Sequence, residues 1–80
     1  MTDQRTSLFK LYKPAVNQLE EMLGGEIEII YIDKDTQLVI NEMAELDGAP
    51  VNLRATKIYR KVHKSGKIYG HAVILEGKAS

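Results

Sequence analysis

The sequence predicts an α+β domain in which one helix packs on a mostly antiparallel sheet of about four or five strands. Apolar residues recur at helical spacing between Val16 and Leu23. Two later stretches are rich in β-branched and aromatic residues and contain short polar turns, which is typical of hairpins. The 80 residues fit a single domain spanning residues 1–80, in which the polar residues 1–6 are expected to be frayed.

The first two predicted elements are a strand and a helix. The alternation from Ser7 to Tyr12 fits a short strand. The helix should begin near Pro14, because a proline suits the first helical position, and should end at Leu23. Gly24 and Gly25 follow, and glycine accepts the left-handed conformation that ends a helix. The residues predicted to face the sheet are Val16, Leu19, Met22 and Leu23.

A hairpin is predicted to follow the helix. Its strands are Glu26–Ile32 and Leu38–Asn41, and its turn is Asp33–Thr36. Ile27 and Ile29 should share one face of the first strand, and the glutamates should share the other.

The second half is predicted to be a structured loop and another hairpin. Glu42–Asn52 is interrupted by turn-forming residues and is expected to be irregular. The second hairpin should comprise Thr56–Val62, a turn at His63–Gly66 and a last strand at Lys67–Leu75. Gly70 inside that strand indicates a bulge or a close approach of backbone.

Charge is distributed very unevenly along the chain. Residues 14–53 carry nine acidic residues against one lysine, which gives −8, whereas residues 54–80 carry seven basic residues against one acid, which gives +6. The total is zero because the first 13 residues add +2. Such asymmetry indicates an electrostatic partner, although the two blocks could also attract each other within the fold.

The side chains needed for catalysis or metal binding are few. There is no cysteine, Ser65 lies beside a turn glycine, and no nucleophile-elbow or phosphate-loop motif is present. His63 and His71 are the only histidines, too few for a transition-metal site. Glu26 and Glu28 lie side by side without any sign of a cleft that would separate their pKa values. We therefore expect no enzymatic activity, no cofactor and no metal.

No membrane segment is expected. No uninterrupted apolar stretch is longer than Ile29–Ile32, and the first residues lack the pattern of a signal peptide. The sequence therefore predicts a cytoplasmic protein.

The acidic block is the predicted binding surface, because close carboxylates attract a basic protein and can occupy the site that such a protein uses for DNA. Its members are Glu20, Glu21, Glu26, Glu28, Asp33, Asp35, Glu42, Glu45 and Asp47. Ordinary solubility is the alternative explanation of these residues.

Two other kinds of binding remain open. A pocket formed by Tyr59, Tyr69, Arg54 and Arg60 could sequester a nucleotide signal. A basic strand face with Lys57, Tyr59 and Lys61 could bind nucleic acid, but the acidic block would repel a polyanion, so direct nucleic-acid binding is not expected. Unpaired strand edges also make a homodimer possible.

Residues 18–77 resemble a small uncharacterised family found in phages and mobile elements of Gram-positive bacteria. The shared pattern is a helix ending L-x-G-G-x-I-E, a strand ending N-E, and then L-x-G-x-P-x-N-x-x-A. Its members here are Leu23, Gly24, Gly25, Ile27, Glu28, Asn41, Glu42, Leu46, Gly48, Pro50, Asn52 and Ala55. Thr56–Lys67 is more basic than this pattern suggests. The resemblance implies a phage origin and a role in host takeover or counter-defence.

Together these observations predict a non-enzymatic, phage-type inhibitor acting in the host bacterial cell. Its expected partner is a basic host protein, with a DNA-binding nucleoid protein of the HU type as the leading choice, bound through a DNA-mimicking acidic surface.

Overall fold

A mixed four-stranded sheet with a helix on each face forms the structure, a computed structural model that describes residues 5–77. In chain order the elements are β1 (Thr6–Lys10), α1 (Val16–Leu23), β2 (Ile27–Asp33), β3 (Thr36–Asn41), α2 (Leu53–Tyr59) and β4 (Ala72–Glu76). The strand order is β1-β4-β3-β2; β2–β3 and β3–β4 are antiparallel, and β1–β4 is parallel. The α+β class is confirmed, with two helices among the described residues instead of the predicted one.

Alternate residues of the strands build two separate cores. On one face, Leu19 and Leu23 of α1 pack with Val39, Val73 and Leu75. On the opposite face, the buried cluster comprises Ile32, Leu38, Ala55 of α2, Ile68, Ala72 and Ile74. Because both faces of β3 and β4 are covered, these two strands form the buried centre of the domain.

Helix α1 ends at Leu23 as the sequence predicts, but it begins at Val16 and not near Pro14, because Ala15 has an extended backbone and is the residue before the helix. Gly24 has a φ of 83° and its N–H donates to the Glu20 carbonyl at 2.8 Å, which confirms the predicted stop. The helix face that contacts the sheet is narrower than predicted, because Val16 is 57% exposed and Met22 is 40% exposed. Leu19, by contrast, is 1% exposed and carries the contact with the sheet.

The first hairpin is confirmed and has a tighter turn than predicted. β2 and β3 pair from Ile27↔Asn41 to Asp33↔Thr36, so only Lys34 and Asp35 lie between the strands. The Asp35 N–H donates to Asp33 Oδ1 at 2.8 Å, which stabilises the turn.

The predicted second hairpin is wrong. Thr56–Val62 is not a strand, because α2 occupies Leu53–Tyr59 and turns follow it. The predicted last strand Lys67–Leu75 is shortened to β4, and residues 67–71 contribute only an isolated bridge between Tyr69 and Val51. The alternation of apolar and polar residues was misleading, since small side chains at Ala55 and Thr56 provide the buried face of α2.

The first strand is confirmed with shifted bounds. It begins at Thr6 and ends at Lys10, because Leu11 adopts a φ of 58° and leaves the sheet. Of the segment 1–6 that was expected to be frayed, residues 1–4 lie outside the described residues. The prediction is wrong for Arg5 and Thr6: the Arg5 carbonyl accepts from Ala72 N–H at 2.9 Å, and Thr6 pairs with Ala72 in the sheet.

Asn52 ties β1, α2 and the approach to β4 together. Its side-chain oxygen accepts from the Ala55 N–H at 3.0 Å and from the Thr6 hydroxyl at 3.1 Å. Its side-chain amide donates to the Gly70 carbonyl at 2.9 Å. The residue is 2% exposed, so these bonds replace those that water would otherwise provide.

Leu19→Ala should lower the free energy of unfolding by about 2–5 kcal/mol, because it leaves a cavity between α1 and the sheet. The matched control is Met22→Ala on the same helix, which removes a side chain that is 40% exposed and should cost much less. Urea unfolding of the two variants measures the difference. Equal losses would show that α1 does not dock through Leu19.

Asn52→Ala should destabilise the domain by at least about 2 kcal/mol, since it removes a helix cap and leaves buried partners without hydrogen bonds. Asn17→Ala, an exposed change on α1, serves as the control. Thermal and urea unfolding check the prediction. A loss for Asn52→Ala no larger than that of the control would contradict the assigned role.

Candidate functional site

A small cleft lies on the α2 face of the sheet, where β2 begins and β3 ends. Its volume is about 190 Å³. Its floor is apolar and is formed by Ile30, Ile40, Ala44 and Ile68. Its rim is polar and comprises Glu28, Asn41, Glu42, Glu45, Tyr59, Lys67 and Tyr69. We call this feature the acidic cleft.

Three carboxylates lie close together at this end of the hairpin. The Glu42 N–H donates to the Glu26 carbonyl at 3.0 Å, which extends the pairing of β2 and β3 by one residue. The side chains of Glu26 and Glu42 are therefore cross-strand neighbours. The hydrogen bond that the protonated Glu42 carboxyl donates to the Glu26 carboxylate, together with the negative charge of Glu26, raises the pKa of Glu42 above its ordinary value of 4.5, and the charge of Glu28 adds to this effect.

A second groove of about 450 Å³ continues from the acidic cleft toward the end of α2. It shares four lining residues with the cleft and adds Arg60 and Gly66; the shared residues are Glu45, Tyr59, Lys67 and Tyr69. We call it the tyrosine groove. It brings Tyr59, Tyr69 and Arg60 of the predicted nucleotide pocket together, but Arg54 does not line it.

The turns after α2 are folded around Tyr59. The ring of His63 stacks on the Tyr59 ring with centroids 4.3 Å apart and planes 18° apart. Arg60 Nε donates to the Gly66 carbonyl at 3.0 Å. Gly66 has a φ of 108°, and a Cβ atom there would lie 3.1 Å from the Tyr59 ring, so the close approach requires glycine. This packing fixes one wall of the tyrosine groove.

The predicted acidic surface is divided by the fold. Glu28, Glu42 and Glu45 line the acidic cleft, and Glu26 contacts Glu42. Asp33 and Asp35 lie at the other end of the hairpin, about 20 Å away at the usual rise of a strand. Glu20 and Glu21 lie on α1, and Asp47 lies in the turns between β3 and α2.

The acidic and basic blocks make no ion pair with each other within residues 5–77. The only ion pair there joins Lys10 and Glu76, with Nζ and Oε1 4.0 Å apart. Lys67 lines the same cleft as Glu28 and Glu42 without reaching this distance from either. The acidic residues at the cleft are therefore not held by a direct ion pair with the basic block.

The two histidines lie apart and have separate local roles. His71 Nδ1 accepts from the Arg5 N–H at 2.9 Å, whereas His63 stacks on Tyr59. Among the described residues no group of three or more His, Cys, Asp or Glu side chains could hold a metal ion.

Some residues at this site were not identified from the sequence. Lys67, which the sequence predicts in the last strand, lines the cleft. Met43 and Leu46, which are 44% and 78% exposed, lie in the turns after β3, in a segment that the sequence predicts as a loop. The alternation of Met43 and Leu46 with acidic residues in a turn-rich segment was the available signal.

A family model described as a domain of unknown function (DUF3846) matches residues 4–80. The chain belongs to this family. No curated protein and no solved structure shows significant similarity to it. Within the described part of the chain, neither helix has the length and apolar character needed to cross a membrane.

The raised pKa of Glu42 predicts that the carboxylate pair costs stability at neutral pH. The contribution of Glu42 to stability is most favourable below its ordinary pKa of 4.5. It is lost as the pH rises through the higher pKa of Glu42 in the folded state. Glu42→Gln should therefore raise the melting temperature at neutral pH, and the gain should disappear in acid.

Thermal unfolding across the acidic to neutral range measures this effect, with Asp47→Asn as a control that removes a carboxylate outside the pair. A pH dependence that is the same in both variants would show that the neighbouring carboxylates do not raise the pKa of Glu42.

Proposed function

We propose that this is a non-enzymatic protein that binds a basic partner protein through the acidic end of its hairpin. We define the acidic end as Glu26, Glu28, Glu42 and Glu45 with the exposed apolar residues Met43 and Leu46. The observation that carries the proposal is the proximity of Glu26, Glu28 and Glu42, none of which has a cation within 4.0 Å in the described part of the chain.

Mutual repulsion makes this arrangement ready for a cationic partner. The raised pKa of Glu42 reflects the cost of keeping neighbouring carboxylates charged. A lysine or arginine from a partner would remove that cost and steer the encounter. Met43 and Leu46 supply apolar contact beside the charges, and interfaces typically combine an apolar centre with a charged rim.

The proposed partner is a basic DNA-binding protein of the bacterial host, with an HU-type nucleoid protein as the leading choice. A protein that binds phosphates already presents lysine and arginine side chains, so a carboxylate cluster can compete with DNA for it. The phage setting and the bacterial host cell are inferred from the sequence resemblance alone. Inhibition would then result from occupancy of the DNA site.

Charge reversal at the acidic end should slow association with the partner on the order of tenfold, because electrostatic steering is lost. The test variant is Glu28→Lys with Glu42→Lys. The matched control is Glu20→Lys with Glu21→Lys, an equal change of charge on α1, away from the acidic end. The assay measures the rate at which each variant displaces DNA from a purified HU-type protein, at low and at high salt.

The proposal requires that wild-type protein displaces DNA, that displacement weakens with salt, and that the control variant retains most of it. Equal loss in both variants would indicate a general effect of net charge and would contradict a defined acidic end. Failure of the wild type to displace DNA would reject the HU-type partner.

A second candidate function is binding of a nucleotide in the tyrosine groove. Tyr59 and Tyr69 line this groove with Arg60 and Lys67, which supplies aromatic faces and positive charge for a base and a phosphate. Arg60→Glu with Lys67→Glu distinguishes the two functions. Loss of nucleotide binding in this variant, with DNA displacement absent in the wild type, would favour the second function.

A further inference from the structure

Strand β2 is one edge of the sheet, and within residues 5–77 no strand pairs with its outer side. It has seven residues, contains no proline, and is rich in isoleucine. Such an edge presents unpaired backbone groups that favour pairing with another strand.

The hydrogen-bond register shows which backbone groups are free. The Glu42 N–H donates to the Glu26 carbonyl, so Glu26 and Glu42 form a hydrogen-bonded pair. Because such pairs alternate along an antiparallel ladder, Glu28 and Ile30 also point their backbone groups at β3. Ile27, Ile29 and Tyr31 therefore point theirs away from the sheet. A bulge between Tyr31 and Asp33 ends this regular stretch.

We propose that a second copy of the chain pairs antiparallel with β2, with Ile29 on the twofold axis. In this register Ile27 of each copy faces Tyr31 of the other, and Ile29 faces Ile29. Every outward N–H and C=O group from Ile27 to Tyr31 then gains a partner. The two sheets become one continuous sheet of eight strands. This inference goes beyond the proposed function and does not rest on it.

The side chains of β2 complement one another in this register. On the α1 face Tyr31, which is 68% exposed, would cover the half-buried Ile27 of the second copy. Aromatic and β-branched cross-strand pairs of this kind stabilise sheets. On the α2 face Glu28 would lie opposite Ile30, so no two glutamates face each other directly.

Pairing between β2 strands of two copies is also favoured over pairing between β2 of one copy and β1 of the next. A β2–β2 contact uses the same surface twice and closes after two copies. Pairing of β2 with the other edge, β1, would be head-to-tail and would continue into a fibre. The β1 edge is also shorter, because Leu11 turns away after five residues.

Ile29→Pro tests the pairing, because it removes an outward N–H without removing a bond to β3. Wild type should sediment with twice the monomer mass at high concentration and dissociate on dilution. Ile29→Pro should remain monomeric, and Ile29→Val should dimerise. Tyr31→Lys is the second variant, since Tyr31 is largely exposed and its replacement leaves the core intact. Circular dichroism confirms that each variant folds.

Backbone hydrogen exchange gives an independent readout. The amides of Ile27, Ile29 and Tyr31 should be protected in the dimer and should exchange rapidly after dilution, whereas those of Glu28 and Ile30 should stay protected in both. The inference is overturned if the wild type is monomeric at the concentrations used for NMR. It is also overturned if a dimer persists in Tyr31→Lys while the three outward amides exchange freely.

Discussion

The buried side chain of Asn52 is the interaction on which the rest of the structure depends. It caps α2 through the Ala55 N–H, binds the Thr6 hydroxyl of β1, and donates to the Gly70 carbonyl just before β4. Thr56 adds a second connection one turn later, since its hydroxyl accepts from the Ile68 N–H at 2.9 Å. An amide buried in this way is tolerated only when its hydrogen bonds are satisfied, so the positions of these three elements are fixed together. The wall of the acidic cleft formed by residues 67–69 follows from this arrangement.

Burial is concentrated at the centre of the sheet, which leaves its periphery available for binding. β4 is buried over four consecutive residues, Ala72–Leu75, because α1 covers one face and α2 covers the other. β2 has only one neighbouring strand among the described residues, and its glutamate, Glu28, remains exposed. The residues that stabilise the fold are thus largely separate from those at the acidic end. Charge reversal there can change binding without dismantling either core.

The parts of the fold that were predictable from sequence are those determined by local patterns. Alternation and a short polar turn identify the β2–β3 hairpin, and Gly24 ends α1 as expected. The sequence signal for α2 was missed because its buried residues, Ala55 and Thr56, are small or polar and because the following residues alternate like a strand. The parallel pairing of Thr6 with Ala72 joins the two ends of the chain, and no local pattern encodes it. For the site, sequence located the carboxylates but not their division between the two ends of the hairpin.

The acidic cleft is of a size that suits a protein side chain, whereas the nucleotide of the second candidate function would occupy the larger tyrosine groove. The cleft volume of about 190 Å³ is below the roughly 300 Å³ at which pockets for drug-sized ligands begin. A single lysine or arginine side chain needs less space and complements the carboxylate rim.

Pairing through β2 would place both acidic ends on the same side of a continuous sheet, because each α2 face lies on that side. Glu26 of one copy would lie opposite Ile32 of the other, about 20 Å along the strand from the second Glu26. Two weak electrostatic contacts at that separation would bind an extended basic surface more tightly than either contact alone.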